Sequence, residues 1–433
     1  MLDRAASRAL VERATNPRSD ALIRIQLIDS DAQVRGTSIL TLSMRRLADL
    51  VGYSSLYEFE DVLQAVTGAE RVDATGRPAL EFSRRSYKYT RLLTGSRSVA
   101  ARLAPRPTVL SLQRKYDLFF ACFNHPHELY TLAVLPQWRR HCRFGACYIV
   151  ELWPHLLPRY LLEMLADFDH IFLGCSNSVA EVARISGRPC TYLPLGADVL
   201  ALAPYPNSPQ RLIDVCNLGR RSPVTHAALL ELASAQGIFY YFDTVAASGE
   251  DLKQRTFHVE NPHEHRLLLA SILQRSRYFI ANRARANQPE FMARGDEISA
   301  RFYEGAATGT VMLGEPPRSA QFQCQFDWPD ALLSIPFDAP QIADFIAQLE
   351  REPQRLARIR QDNIHQAARR HDWTYRVRTV FEQLGLPATE AMVAREAQLQ
   401  ALAVSVHPAA TTLDLARVER CAPPSLGPQS ALG

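Results

Sequence analysis

Asp296 and Glu304 stand eight positions apart in Asp296-Glu-Ile-Ser-Ala-Arg-Phe-Tyr-Glu304-Gly-Ala-Ala-Thr-Gly309, and the apolar run 310–313 follows at once. Two carboxylates around the start of a short helix that feeds a buried strand are suited to gripping sugar hydroxyls, because an ionised carboxylate is an acceptor only and binds hydroxyls in charge-assisted pairs. Arg220 and Arg221 lie between the apolar run 212–218 and a helix start marked by Ser222 and Pro223. Guanidinium groups, free backbone N–H groups and the helix dipole all favour an anion at such a place. His125 and His127 follow the apolar run 117–123, and Glu151 follows the run 146–150. Side chains at strand ends of this kind can position a sugar or take a proton from a hydroxyl.

Each of these residues has a plainer alternative that the sequence leaves open. Glu304 also reads as a solvated helix carboxylate, Asp296 as an N-cap for the amides of Ile298 or Ser299, the arginines as a surface pair, and the histidines as structural or solvated. Glu297 and Arg301, four apart, read most simply as a salt-bridged pair on one helix.

The elements that must position these residues form two similar halves. Apolar runs at 22–28, 117–123, 146–150 and 170–174 alternate with helix candidates at 128–137, 157–166 and 178–185, which implies a parallel, doubly wound sheet. Residues 202–210 are rich in Pro and interrupt the alternation, so they are read as the linker. Beyond it the strands are 237–242, 278–282, 310–313 and 332–336, and Asn261-Pro-His-Glu264 reads as a capping box. Helices are expected through most of 339–384 and again at 389–403. The organisation is then an N-terminal extension 1–21, a first α/β domain 22–201, the linker, a second α/β domain 211–371, a last helix 372–386, and a helix with a Pro- and Ala-rich, disordered tail in 387–433. Ligands belong at the carboxyl ends of the strands, in the cleft between the halves.

Composition narrows the class. The 433 residues are 47% hydrophobic and 22% charged, which suits a globular protein of two domains. Only three of the 49 basic residues are Lys, so any phosphate must be held mostly by guanidinium forks or backbone amides. The net charge of +4 does not suggest nucleic acid. The eight Cys include no Cys-x-x-Cys pair, the N-terminus has no long apolar segment, and no run of about 18 apolar residues occurs, which points to reduced thiols and a cytoplasmic protein. Asp29-Ser-Asp31 follows the first expected strand rather than lying deep in a domain, so no metal site is assigned there. A P-loop and a Gly-x-Ser-x-Gly elbow are both absent.

Phe168-Asp-His-Ile-Phe-Leu-Gly-Cys-Ser176, Tyr192-Leu-Pro-Leu-Gly-Ala-Asp198, Asn217-Leu-Gly219-Arg220-Arg221, the Asp296-x7-Glu304 pair and Ala306-Ala-Thr-Gly309 occur in this order. Together, over about 116–386, they resemble the group 1, glycogen-synthase-like glycosyltransferases of GT-B fold. The resemblance implies two Rossmann-like domains with parallel sheets facing a central cleft, a nucleotide-sugar donor held by the C-terminal domain, an acceptor held by the N-terminal one, and a last helix that crosses back. Asp296 replaces the family's first Glu, no Lys follows the Gly-Arg turn, so that Arg221 or Arg301 must act in its place, and Glu151 stands where many relatives have His.

On that resemblance Glu304 accepts the ribose hydroxyls and Asp296 those of the donor sugar, while Gly219, Arg220, Arg221, Asn282, Arg301 and Gly305 complete the donor side. Asp296, Glu151, His125 and His127 are the catalytic candidates. The implied activity is transfer of a hexose or related sugar from a nucleoside diphosphate to a glycan, lipid-linked or protein acceptor, as in bacterial polysaccharide assembly, with no cofactor beyond the donor and no essential metal. Retention of configuration follows the relatives, while Glu151 leaves an inverting route open. A sugar-binding or assembly protein on the same scaffold and a nucleotide-sugar epimerase are the alternatives. Arg4, Arg8, Arg13 and Arg18 among Ala and Leu read first as a solvated extension, with a peripheral contact to anionic membrane as the alternative.

Overall fold

The computed structural model describes residues 37–48, 50–105, 110–243, 259, 261–288 and 296–407. The expected strand 22–28, Asp29-Ser-Asp31, the extension 1–21 and the tail from 408 lie outside the described residues.

The N-terminal half runs β1 (Ile39–Ser43), α1 (Ser54–Thr67), β2 (Glu70–Asp73), α2 (Arg77–Thr94), α3 (Arg97–Leu103), β3 (Tyr116–Phe123), α4 (Trp138–His141), β4 (Cys142–Ile149), α5 (Arg159–Met164), β5 (His170–Leu173), α6 (Val179–Ser186) and β6 (Cys190–Tyr192). Its strands form one parallel sheet in the order β2-β1-β3-β4-β5-β6. Successive residues of β3 pass to opposite faces: Phe119, Ala121 and Phe123 join one buried cluster, and Leu118, Phe120 and Cys122 another. With both faces covered the strand must be apolar throughout, which is why it reads as an unbroken apolar run.

The C-terminal half continues with α7 (Val199–Leu202), β7 (Ile213–Asn217), α8 (Pro223–Gln236), β8 (Tyr240–Phe242), α9 (Pro262–Gln274), β9 (Ser276–Ile280), α10 (Ala300–Ala307), β10 (Val311–Gly314), α11 (Ala320–Gln325), β11 (Leu333–Ser334), α12 (Ile342–Leu349) and α13 (Pro353–Arg370). The second parallel sheet has the order β11-β10-β9-β7-β8. Caps set the helix ends as the sequence indicates. Ser222 Oγ accepts from the Thr225 amide at 3.1 Å, Asn261 Oδ1 accepts from His263 and Glu264 amides, and Gly237 closes α8 in the left-handed region at φ 67°.

Two last helices tie the halves together. On α14 (Trp373–Gln383), Trp373, Val377, Val380 and Phe381 pack into the core of the first sheet. Along α15 (Glu390–Val406), Met392 joins that same core while Leu399 and Ala403 join the second. The molecule therefore has the two-sheet, doubly wound α/β architecture expected of GT-B, with a helix returning to the first half.

Several elements differ from expectation. In place of the α-helix expected over 128–137 there is a 3-10 stretch, Pro126–Val134, and α4 begins only at Trp138. Glu128, Leu129, Tyr130, Thr131 and Val134 are all buried, so the segment has no exposed stripe and is wrapped instead of laid on the sheet. The strand expected from 237 begins at Tyr240, because Gly237 is spent on ending α8. Of the cysteines among the described residues, Cys122, Cys142, Cys147, Cys175, Cys190 and Cys216 are free, buried thiols.

Candidate functional site

The carboxyl ends of the two sheets supply the candidate residues. From the N-terminal half come His125 after β3, Glu151 after β4, and Ser176 with Asn177 after β5. From the other half come Gly219 to Arg221 after β7, Asp243 after β8, Asn282 to Arg285 after β9, and the segment 296–299 that leads into α10. Strand ends in parallel sheets present unpaired backbone groups and side chains that have no core to fill, which is why ligands collect there.

Two contacts join these ends directly. Arg285 donates to Glu151 through Nε at 2.7 Å and through Nη2, and the Trp153 indole donates to the same carboxylate at 3.0 Å. Glu297 accepts from the Asn177 amide at 3.1 Å, from its side chain at 3.2 Å, and from Ser176 Oγ at 3.3 Å. The expected Glu297–Arg301 pair is thus corrected. α10 begins only at Ala300, so the two residues are not on one helical face, and Arg301 Nε donates to the Leu218 carbonyl at 3.1 Å.

Gly219 has φ 76°, and the Arg301 guanidinium fills the place where a Cβ would project. Only glycine lets that guanidinium come so close to the turn after β7. The Gly219 amide donates to Asp243 Oδ1 at 3.0 Å, and Arg221 is committed to the same Asp243, by its carbonyl at 2.9 Å and its carboxylate. Arg220 is exposed and lies within the fields of Glu151, Arg285 and Arg301. The turn thus sends one arginine inward to hold itself together and one outward among three other charges.

Asp296 is not an N-cap. Ser299 occupies that place and makes no side-chain cap bond, while Asp296 Oδ2 accepts from the Arg318 amide at 2.8 Å. Its Oδ1 is buried without a hydrogen bond, as is Arg283 Nε, and Arg283 Nη1 stands 3.6 Å from Asp296 Oδ1. Arg283 Nε in turn faces Glu315 Oε2 at 3.7 Å, so both carboxylate contacts of Arg283 are ion pairs longer than hydrogen bonds, and Asp296 Oδ1 keeps room to accept one. Asn282 is occupied in the loop itself: its Oδ1 accepts from the Glu315 amide at 2.8 Å and its carbonyl from Ser299 Oγ at 2.7 Å.

Glu304 is buried on α10 and pairs with Arg266 of α9, which in turn holds Glu58 of α1 through two bonds of 2.9 Å. Glu58 also accepts from the Trp373 indole at 2.9 Å and the Asp198 amide at 3.1 Å. Glu304 is therefore not the solvated helix carboxylate of the plainer reading. Gly305 faces the core, where a Cβ would stand 2.5 Å from Met312 Sδ. His125 and His127 stack at 4.8 Å, but only His125 lies in the field of Glu151 and Arg285, and His127 is turned towards α2, near Arg84, Glu81 and Lys88.

Burial and charge set the protonation of these groups. Burial would raise the Glu151 carboxyl, but Arg285 beside it outweighs burial and holds it below the ordinary range. Burial, aided by His127, brings His125 down to about 4, so the imidazole is neutral at neutral pH. Burial pushes Glu297 up to about 7 against the donors of Ser176 and Asn177. Among the described residues no group of three His, Cys, Asp or Glu side chains is disposed to hold a metal. Arg283 and Arg285 at the strand ends, with Glu58 and Arg266 on the helices α1 and α9, are charged groups that sequence reasoning missed, and Glu297 was read there only as a partner of Arg301.

Residues 258–382 match the family model described as Glycosyl transferase-like, which places a glycosyltransferase-like segment across α9 to α14. No curated protein sequence matches the chain. Among solved structures, Anabaena Alr3699/HepE in complex with UDP-glucose is similar over 81% of this chain and 99% of that one, at 14% identity and TM-score 0.42. The S. aureus MnaA-UDP structure is similar over 82% of this chain and 99% of that one, at 10% identity and TM-score 0.39. TarM covers 61% and 54% respectively, at 9% identity and TM-score 0.39. At such scores neither donor nor acceptor carries over from them.

Proposed function

We propose that the protein is a glycosyltransferase that moves a sugar from a nucleoside-diphosphate sugar to a glycan, lipid-linked or protein acceptor, without an essential metal. The observation that carries this reading is the gathering of Arg220, Arg285 and Arg301 at the opposed strand ends, with Glu151 as their counter-charge from the other half. A leaving diphosphate gains negative charge as the glycosidic bond breaks, so fixed guanidinium groups stabilise the transition state more than the ground state. Arg220 and Arg301 hold the diphosphate, Glu304 accepts the ribose hydroxyls, and a donor-sugar hydroxyl donates to Asp296 Oδ1. Gly219 allows the Arg301 guanidinium to reach the turn after β7. The acceptor enters from the N-terminal half beside His125.

Retention is the better supported stereochemical course. Glu151 is clasped by a guanidinium and held below its usual range, which makes it a poor base for an acceptor hydroxyl. The phosphate oxygen of the leaving donor then takes that proton on the front face. His125, brought down to about 4 by burial, is an equally poor base, so neither side chain favours an inverting route.

A non-catalytic sugar-binding role has one observation in its favour: Glu304 is already satisfied by Arg266 within the protein. Calorimetric titration with a panel of nucleoside diphosphates and nucleotide sugars, on wild type and Glu304→Gln, separates these readings. A donor bound by the wild type, weakened at least about tenfold in the variant and turned over with retained anomeric configuration by NMR, is the expected result. Binding without transfer or donor hydrolysis would leave the scaffold role, an isomerised donor would indicate an epimerase, and an inverted product would end the retaining mechanism.

A further inference from the structure

We propose that the outer face of the α2–α3 hairpin is a docking surface for an anionic lipid bilayer. The hairpin is fixed to the protein on one side only. Leu80, Ser83 and Tyr87 of α2 and Ala100 of α3 are buried. The Tyr87 ring meets Tyr130 edge-on at 6.0 Å, and Arg91 pairs with Glu163 at 2.9 Å.

Phe82, Tyr89 and Leu93 recur at spacings of seven and four along α2, which puts them on one helix face. That face is turned away from the buried one. The three are 63%, 61% and 86% exposed, with Leu92 beside them at 65% and Leu103 of α3 at 63%. Single apolar residues on a surface need no explanation, but a helix that buries one stripe and presents a second, larger one marks an interaction site.

Charge selects the occupant. Residues 77–103 contain seven basic residues and one acidic residue, Glu81. Arg84 takes Glu81 at 2.8 Å, whereas Arg85, Lys88 and Arg102 are exposed and have no carboxylate partner among the described residues. Apolar side chains flanked by unpaired cations suit the boundary between acyl chains and anionic headgroups, where the first insert and the second meet phosphate. A second copy of this chain would bring the same positive charge to the contact and be repelled. No described helix is long and apolar enough to cross a membrane, so the hairpin lies in the plane of the interface. α2 packs beside the turn that carries His127, and His127 stacks on His125 at the strand ends, so the lipid-facing surface adjoins the entrance given above to the acceptor. Lipid binding is nonetheless independent of sugar transfer and stands or fails separately from it.

Flotation of the full chain with phosphatidylcholine vesicles, with and without phosphatidylglycerol, tests the proposal. Binding to the anionic vesicles that declines with added salt is expected. Leu92→Ser combined with Leu93→Ser should weaken it at least about tenfold, and Arg85→Gln and Lys88→Gln roughly fivefold each. These side chains are exposed, so the thermal midpoint of every variant should stay at the wild-type value. The variants keep residues 4–18, so a loss of flotation cannot come from that segment. Wild-type protein that does not float, or a Leu92/Leu93 variant that floats as well as wild type, would overturn the proposal. So would a concentration-dependent dimer lost in that variant with no vesicle binding, since a second copy would then cover the face.

Discussion

Arg266 holds Glu58 and Glu304, which come from different halves, and all three are buried. An intact buried ion cluster adds little net stability, but removing its centre leaves two charges unpaired, at a cost of roughly 3–5 kcal/mol. Arg266→Met should lose about that much at pH 8 in chemical denaturation, and less at pH 5, where Glu58, which burial already pushes up, can take a proton once its guanidinium is gone. Glu304→Gln keeps an acceptor for Arg266 and should cost only about 1 kcal/mol, so its loss of donor binding reads on the ligand. Glu297 gives a second test. The folded protein holds its proton up to about 7, whereas an unfolded glutamate loses it near about 4.3. Its contribution to stability is therefore complete at low pH and lost as pH rises towards 7. Relative to wild type, Glu297→Gln should gain stability between pH 5 and pH 8, on the order of 1–3 kcal/mol; an unchanged difference would mean that Ser176 and Asn177 already support the ionised form. The spacing of Asp296 and Glu304 was visible in the sequence because two carboxylates around a helix start form a pattern. Arg266 was not, since one guanidinium in an arginine-rich chain acquires its role only when residues 58, 266 and 304 are brought together.

At the scale of elements, two glycines of the second half separate a soft contact from a hard one. A Cβ on Gly305 in α10 would press on Met312 Sδ at 2.5 Å and Phe279 Cδ1 at 3.2 Å, and a flexible thioether can yield. A Cβ on Gly314 would strike the Ala281 carbonyl of the neighbouring strand end, and backbone cannot yield without breaking the register of β9 and β10. Gly314→Ala should therefore lower the thermal midpoint more than Gly305→Ala, with roughly 1–3 kcal/mol lost for the softer change. The reverse order would show slack between the strands. The same hardness explains what could be read in advance. Capped helices and doubly covered strands, such as α8 and β3, write their limits into local sequence. β2, Glu70-Arg-Val-Asp73, carries one buried apolar residue, and the wrapped stretch from Pro126 has no exposed face, so neither has a period to detect.

Over the whole molecule, α14 and α15 deny the two halves independence. Met392 and Leu399 sit in different cores on one helix, and Trp373 packs in the first core while donating to Glu58. Calorimetry should show one unfolding transition, and two resolved transitions would mean that these helices release before either sheet melts. The alternation of strands and helices made two doubly wound halves legible, because each half repeats a local rule. The bonds between halves obey no local rule and had to be seen. Glu58 shows what this means for a chain made from its N-terminus. It needs the amide of Asp198, the guanidinium of Arg266 and the indole of Trp373, the last 315 residues downstream. On the ribosome, at about 5–20 residues per second, the first sheet waits on the order of tens of seconds with a buried-to-be carboxylate unserved and the face that receives α14 uncovered. A chain cut short before residue 373 would leave the apolar face that receives α14 open to water and Glu58 without its indole donor.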